Sequence, residues 1–501
     1  MGALTRLSAL LRKRLAFGPL LLCLLAVIGI FACIIILLGG PSSADSSQSV
    51  YSALLISHGN WACAYPPLAF SHANGIQFAL ASPVYVLISG VLARMLGLGA
   101  ATAFPSFASV GVNCSHAFTL TSLWTQSAGA LTPMLRLGFI AWAVLVVGFI
   151  AVLRVSGRGH DGIGIVAILT VLCSPPVFST LVFTFHPEDV LTMGIILLAV
   201  ASTVVQRWLI VGALMALGVT TQLFALLALI PLAAVVPRQR RGLFILGFTS
   251  VLSAVVVPLA FLTSGRVLHS VIFGTSRAGE RIISAGGTIL FSADLQGIPL
   301  FVISRLAPLV AASVLSYLVV RRCGAATREP ALLVALVGTC LAMRLVFEVN
   351  MFEYYFMATV VILILLESLR GQFRGGTFAL IGLIAVAFSP AVIYLHWRGH
   401  LLGPNLRPLL LYLFLILSII FLVVGLVHRQ MKWYLVASIV LVALAFLRLP
   451  LRIDHYNGVF PLWFWQVALV APLIYSLSAP LRTPISASVT RTLTEVGSSD
   501  S

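Results

Sequence analysis

The run "FGPLLLCLLAVIGIFACIIILL", Phe17 to Leu38, sets how the rest of the chain is read. Its 22 residues suffice, at a helical rise of about 1.5 Å per residue, to cross the hydrocarbon of a bilayer. Arg6, Arg12, Lys13 and Arg14 precede it, as basic residues precede a signal peptide. Gly39-Gly40-Pro41 offers no small-x-small cleavage site, however, and the run is long for a leader core. The expectation is a membrane helix that remains in the chain.

Outward from that run the same chemistry continues. Of the 501 residues 60% are hydrophobic and 9% charged, which excludes a water-facing surface of mixed charge. Backbone in lipid must satisfy its own hydrogen bonds, so the expected fold class is all-α, a polytopic transmembrane bundle. The net charge of +17 invites a nucleic-acid partner. The 28 Arg and two Lys are instead scattered in ones, twos and threes between apolar spans, so they read as topology signals and no nucleic acid is expected.

About twelve crossings are expected, near 17–39, 133–153, 162–185, 189–206, 242–263, 299–320, 331–349, 353–369, 377–396, 408–427, 433–449 and 461–479. Connections with Arg154/Arg158, Arg207, Arg238/Arg240/Arg241, Arg321/Arg322/Arg328, Arg370/Arg374 and Arg429/Lys432 then share one side with both termini. That side holds 19 of the 30 basic residues, the bias of cytoplasmic loops. Two apolar stretches break the alternation. Ser82 to Gly97 is short and interrupted, and reads as a juxtamembrane or re-entrant helix on the outer face. Trp208 to Val236 has basic flanks at both ends and a polar tip, Thr220-Thr221-Gln222, and reads as a hairpin entered from the cytoplasm; polar backbone at that depth implies a cavity.

The chain divides accordingly into a basic cytoplasmic N-terminus (1–16), a transmembrane module (17–370) with a large outer loop (40–132), further transmembrane helices (371–480) and a disordered cytoplasmic tail (481–501). Cys63 and Cys114 both fall in the outer loop, on the oxidising side, which suggests a disulfide between them.

Asp45 is the one carboxylate of that loop. It follows a flexible Gly-Gly-Pro-Ser-Ser-Ala run, and reads either as a general base that takes a proton from a hydroxyl or as a solvated loop acid. Phe185-His186-Pro187-Glu188-Asp189 joins two spans on the outer face. Proline and acids there suit a helix start; His186, Glu188 and Asp189 equally suit a second acid or base, or a site for a hard cation. Arg94, Arg136, Arg305 and Arg344 lie just below the outer surface, where a charge is costly unless paired or solvated. They are candidates for holding an anionic head group, against snorkelling to lipid phosphate. Glu348 is one helical turn from Arg344 and offers it an internal pair. Trp61, Tyr65, Tyr354 and Tyr355 can stack on sugar rings or merely populate the interface.

Several stretches resemble the GT-C superfamily of integral-membrane glycosyltransferases, in particular the actinobacterial enzymes that use polyprenyl-phosphate sugars. The likeness rests on the first helix and early loop acid Asp45, "CAYPP" (Cys63 to Pro67), "SPVYVLISG" (Ser82 to Gly90), "FHPEDVLTMGIILLA" (Phe185 to Ala199), "GALMALGVTTQLFALLALIPL" (Gly212 to Leu232) and "NMFEYYFMA" (Asn350 to Ala358). It covers roughly 17–370. The resemblance implies transfer of a sugar from a polyprenyl-phosphate lipid donor to a glycolipid or cell-envelope glycan acceptor, on the outer face of a bacterial plasma membrane, with Asp45 as base. The chain departs from many members in having one loop acid and no basic residue at the hairpin tip, which leaves a divalent cation as a candidate cofactor and not an implied one. Two other classes also fit: a transporter or flippase for a lipid-linked substrate, and a non-catalytic membrane protein that keeps the fold.

Overall fold

A computed structural model describes residues 83–97, 138–158, 162–182, 186–265, 267–268, 298–347 and 354–370, with isolated positions between 53 and 64. The expected crossings at 17–39, 377–396, 408–427, 433–449 and 461–479, both termini and the tail lie outside the described residues. So do Asp45, Cys63, Tyr65, Cys114, Arg136 and Glu348.

Every described element is helical, as sustained hydrophobicity requires where no water is present to satisfy the backbone. In chain order the helices are α1 (Pro83–Met95), α2 (Gly138–Val155), α3 (Gly162–Cys173), α4 (Pro175–Val182), α5 (Pro187–Val204), α6 (Trp208–Thr221), α7 (Leu226–Ala234), α8 (Arg241–Leu262), α9 (Ile298–Cys323), α10 (Pro330–Phe347) and α11 (Tyr355–Leu369). Five stretches are long and apolar enough to cross a membrane: Gly138–Val155, Pro187–Val204, Arg238–Leu262, Arg305–Arg328 and Pro330–Phe347. Each coincides with an expected crossing. The 13 residues of α1 fall short of one, as its interrupted sequence predicts.

The expected crossing at 162–185 is broken instead of continuous. Pro175 and Pro176 follow Ser174, and the helix stops at Cys173 and restarts as α4. A proline has no N–H for the ladder, and its ring clashes with the carbonyl a turn back.

The hairpin is present as a helix, a turn and a second helix. α6 ends at Thr221, Gln222 is extended (φ −152°, ψ 135°), and Leu223–Ala225 forms a 3-10 turn into α7. The two arms then take different partners, α6 packing on α5 and α8, and α7 on α9 and α10. The two threonines of the tip need no cavity to satisfy them. Thr220 and Thr221 are buried and donate their hydroxyls to the carbonyls of Ala216 and Leu217, at 2.8 and 2.6 Å.

α5 is the central helix, almost wholly buried, with α2 and α6 against it. Small residues let these backbones approach. A Cβ at Gly194 of α5 would lie 2.6 Å from the Leu145 amide nitrogen of α2. A Cβ at Gly212 of α6 would overlap the Phe244 carbonyl of α8, and one at Gly247 the carbonyl of Leu209. Such contacts are a main source of helix association where lipid removes the hydrophobic drive. Gly194→Ala is therefore expected to destabilise the fold by about 1–3 kcal/mol, read as a lower unfolding midpoint in detergent. Gly242→Ala, where a Cβ meets open space, should leave it unchanged.

α8 and α9 turn large apolar side chains outward, among them Ile245, Leu246, Phe261, Val310 and Val314. The basic residues Arg154, Arg207, Arg238, Arg240, Arg241, Arg321, Arg322 and Arg370 sit where α2, α5, α9 and α11 end and where α6 and α8 begin. The start of α5, the end of α10 and the start of α11 are the opposite ends of their helices, and these three ends build the site.

Candidate functional site

Pro187 opens α5 at its first helical position, with Glu188 and Asp189 in the first turn. That placement alone suits the helix dipole. Burial argues for more. Glu188 and Asp189 are each only 2% exposed, whereas an acid that merely complements a dipole keeps its hydration. His186, at the N-cap position, makes no capping bond with its side chain; its Nδ1 lies 3.0 Å from Glu188 Oε1.

An aromatic panel from α11 closes over this turn. The His186 ring stacks on Tyr354 at 3.8 Å between centroids, and Tyr354 meets Tyr355 edge-on at 4.6 Å. Arg344, in the last turn of α10, lies with its guanidinium 3.6 Å above the Tyr355 ring and 5.1 Å from that of Phe224. Such a cation over a ring gains roughly 0.5–2 kcal/mol and has its plane fixed. Asp189 is within electrostatic reach of Arg344 and His186. On the other flank, Tyr85 of α1 lies beside Ser89 and within reach of Glu188.

Among the described residues, three buried polar atoms on this turn have no hydrogen-bond partner, Glu188 Oε2, Asp189 Oδ1 and Thr192 Oγ1, and Ser89 Oγ has none beyond the neighbouring Tyr85 hydroxyl. Each such atom costs roughly 1–3 kcal/mol, and a charged one more. Native structures keep few of them, and a site that receives a ligand is one of the reasons they do.

Of the residues expected from sequence, the fold thus brings together His186, Glu188, Arg344 and Tyr354. It leaves Arg94 exposed in the last turn of α1. Arg305 is half-buried near the start of α9, and Trp61 is half-buried before α1. Tyr85, Ser89, Thr192 and Phe224 join the site unannounced, and Asp189 joins it as a member of the His186–Asp189 cluster that the sequence singles out. Asp189 stood beside Glu188 in the sequence, but nothing there showed that both would be buried. Phe224 follows the polar tip at Thr220-Thr221-Gln222, and it is the aromatic residue, not the polar ones, that reaches Arg344. Among the described residues no three His, Cys, Asp or Glu side chains are grouped so as to hold a metal ion.

Fold and site define a class: a protein helical in every described element, with several helices long and apolar enough to cross a membrane, and with two buried carboxylates clustered with a histidine and an arginine at the end away from its basic connections. No family model matches the chain, and no curated protein is significantly similar to it.

Proposed function

We propose that the protein is a bacterial plasma-membrane glycosyltransferase of about twelve crossings, with both termini in the cytoplasm and its site on the outer face. It moves a sugar from a polyprenyl-phosphate donor to a glycolipid or cell-envelope glycan. The observation that carries this reading is the pair of buried carboxylates on α5, one bonded to His186 and the other within reach of Arg344. Ionisable groups inside a membrane bundle are expensive and mark function by default.

The chemistry is a displacement at the anomeric carbon. The bond from that carbon to the phosphate oxygen breaks as the acceptor oxygen bonds to it, the acceptor proton passes to a carboxylate, and the lipid phosphate leaves as the anion. Asp45 takes the proton in this reading, as the resemblance implies, and His186–Glu188 supplies the second acid–base group. Arg344, with Arg305 on α9, offsets the charge on the departing phosphate. Translocation, the rival reading, calls for polar groups through the depth of the bundle. Thr220 and Thr221, which would be such groups, are already satisfied by their own helix.

The test is a cryo-EM map of the protein in nanodiscs with native lipid extract, together with transfer from a radiolabelled polyprenyl-phosphate sugar in vesicles. The expected map shows an elongated lipid whose phosphate meets Arg344, and the expected assay shows label moving to a lipid or glycan acceptor. A continuous polar path with no outer lipid density, and no transfer, would overturn the proposal.

A further inference from the structure

We infer that Glu188, Asp189 and Thr192, with Ser89 beside them, form a binding subsite for a neutral polyhydroxyl ring, which supplies the partners that the first three lack. Glu188, Asp189 and Thr192 fall within about 100° of arc on α5, with Thr192 between the two acids. Ser89 approaches from α1, linked through Tyr85, its neighbour one turn back, which is within reach of Glu188.

Thr192 carries the argument furthest. A buried threonine in a helix ordinarily bonds back to the carbonyl one turn earlier, and Thr180, Thr203, Thr220, Thr221, Thr263 and Thr339 all do so here. Thr192 is fully buried and forgoes that bond; Thr327 does so too, but in the short 3-10 turn after α9, whereas Thr192 lies within a regular α-helix. Its hydroxyl is held for something else, in the same turn where two carboxylate oxygens are also unpartnered.

The donor set selects the ligand. Carboxylate oxygens only accept, so they need O–H or N–H groups, while the hydroxyls of Ser89 and Thr192 can give or take. Adjacent ring hydroxyls meet both demands. A cationic ligand would satisfy the acids but would stand beside Arg344, which is already within reach of Asp189. The ligand is therefore sugar-like and uncharged. Why such a ring is bound rests on the transferase reading, but the binding itself does not.

The experiment uses the full chain in nanodiscs, without lipid donor, and saturation-transfer NMR with D-mannose, D-arabinose, myo-inositol and, as the cationic probe, choline. At least one neutral polyol is expected to bind, and choline is not. Thr192→Val should weaken that binding about three- to tenfold, as loss of one hydrogen bond does, while leaving the thermal midpoint unchanged or higher, since an unsatisfied hydroxyl is removed. Thr192→Ser should restore it, and Ser174→Ala, which removes a remote buried hydroxyl also without a partner, should not matter. No polyol binding at tens of millimolar, equal binding by Thr192→Val, or preference for choline would each overturn the subsite. Polyol binding without any lipid-donor transfer would keep the subsite and sink only the transferase.

Discussion

Glutamine at Glu188 is expected to slow sugar transfer by about 10²–10⁴-fold, the usual worth of a positioned acid or base, and to remove one limb of the pH–rate profile. Glu188 is buried, and one of its oxygens already faces His186 at 3.0 Å, so glutamine keeps the shape and a contact to the histidine while it removes the proton chemistry and turns one acceptor oxygen into a donor. His186→Gln should give a smaller loss, and the double variant should be no slower than Glu188→Gln, because groups acting as a unit are not additive. Asp45→Asn belongs to the same experiment: if Asp45 is the base, transfer falls over the same range with the unfolding midpoint unchanged. The rival account treats Glu188 as the acid that complements the start of α5. It predicts a loss of only about 0.3–1 kcal/mol in stability and a transfer rate within twofold of the parent, and that result would remove Glu188 from the mechanism.

How far the sequence carried is uneven, for physical reasons. Crossings such as Gly138–Val155 and Pro187–Val204 announce themselves because some 18–20 apolar residues in a row have one stable solution in lipid. The break at Ser174 was written in Pro175-Pro176 and was outvoted by the hydrophobicity of the flanking residues. The site was half legible. His186, Glu188, Arg344 and Tyr354 are polar or aromatic residues near the ends of apolar runs, where depth alone makes them unusual. Which of them meet is a tertiary matter: α10 and α11 bring Arg344 and Tyr354 to the start of α5, and no local pattern encodes that. Thr192 was invisible for a further reason. A threonine inside an apolar run looks like any other buried threonine until its hydroxyl is seen to forgo the carbonyl one turn back. The hairpin tip misled for a related reason, since its two threonines are satisfied by their own helix and it is Phe224, just beyond them, that reaches Arg344.

Methionine at Arg344 is expected to act on stability and on transfer together, and the two can be separated. The side chain is apolar and unbranched and reaches about as far as the Nε of arginine, so it keeps part of the packing against the Tyr355 ring, but it leaves Asp189 without the cation within its reach. Removing one partner of buried opposite charges typically costs about 3–5 kcal/mol; Arg344 is half-buried, so the lower end applies. Adding Asp189→Asn should recover most of that loss, since the carboxylate that needed the arginine is gone, and a double-variant cycle in detergent would read the coupling. Transfer behaves differently. If Arg344 offsets charge on the departing phosphate, its loss costs about 10²–10³-fold, and the stable double variant stays as slow as Arg344→Met. Arg344→Lys keeps the charge but not the flat guanidinium that stacks on Tyr355 and can bind phosphate through two bonds, so it should keep the fold and lie between the two in rate. Recovery of full transfer in the double variant would mean that Arg344 serves the fold alone, and the phosphate contact would then have to be sought elsewhere.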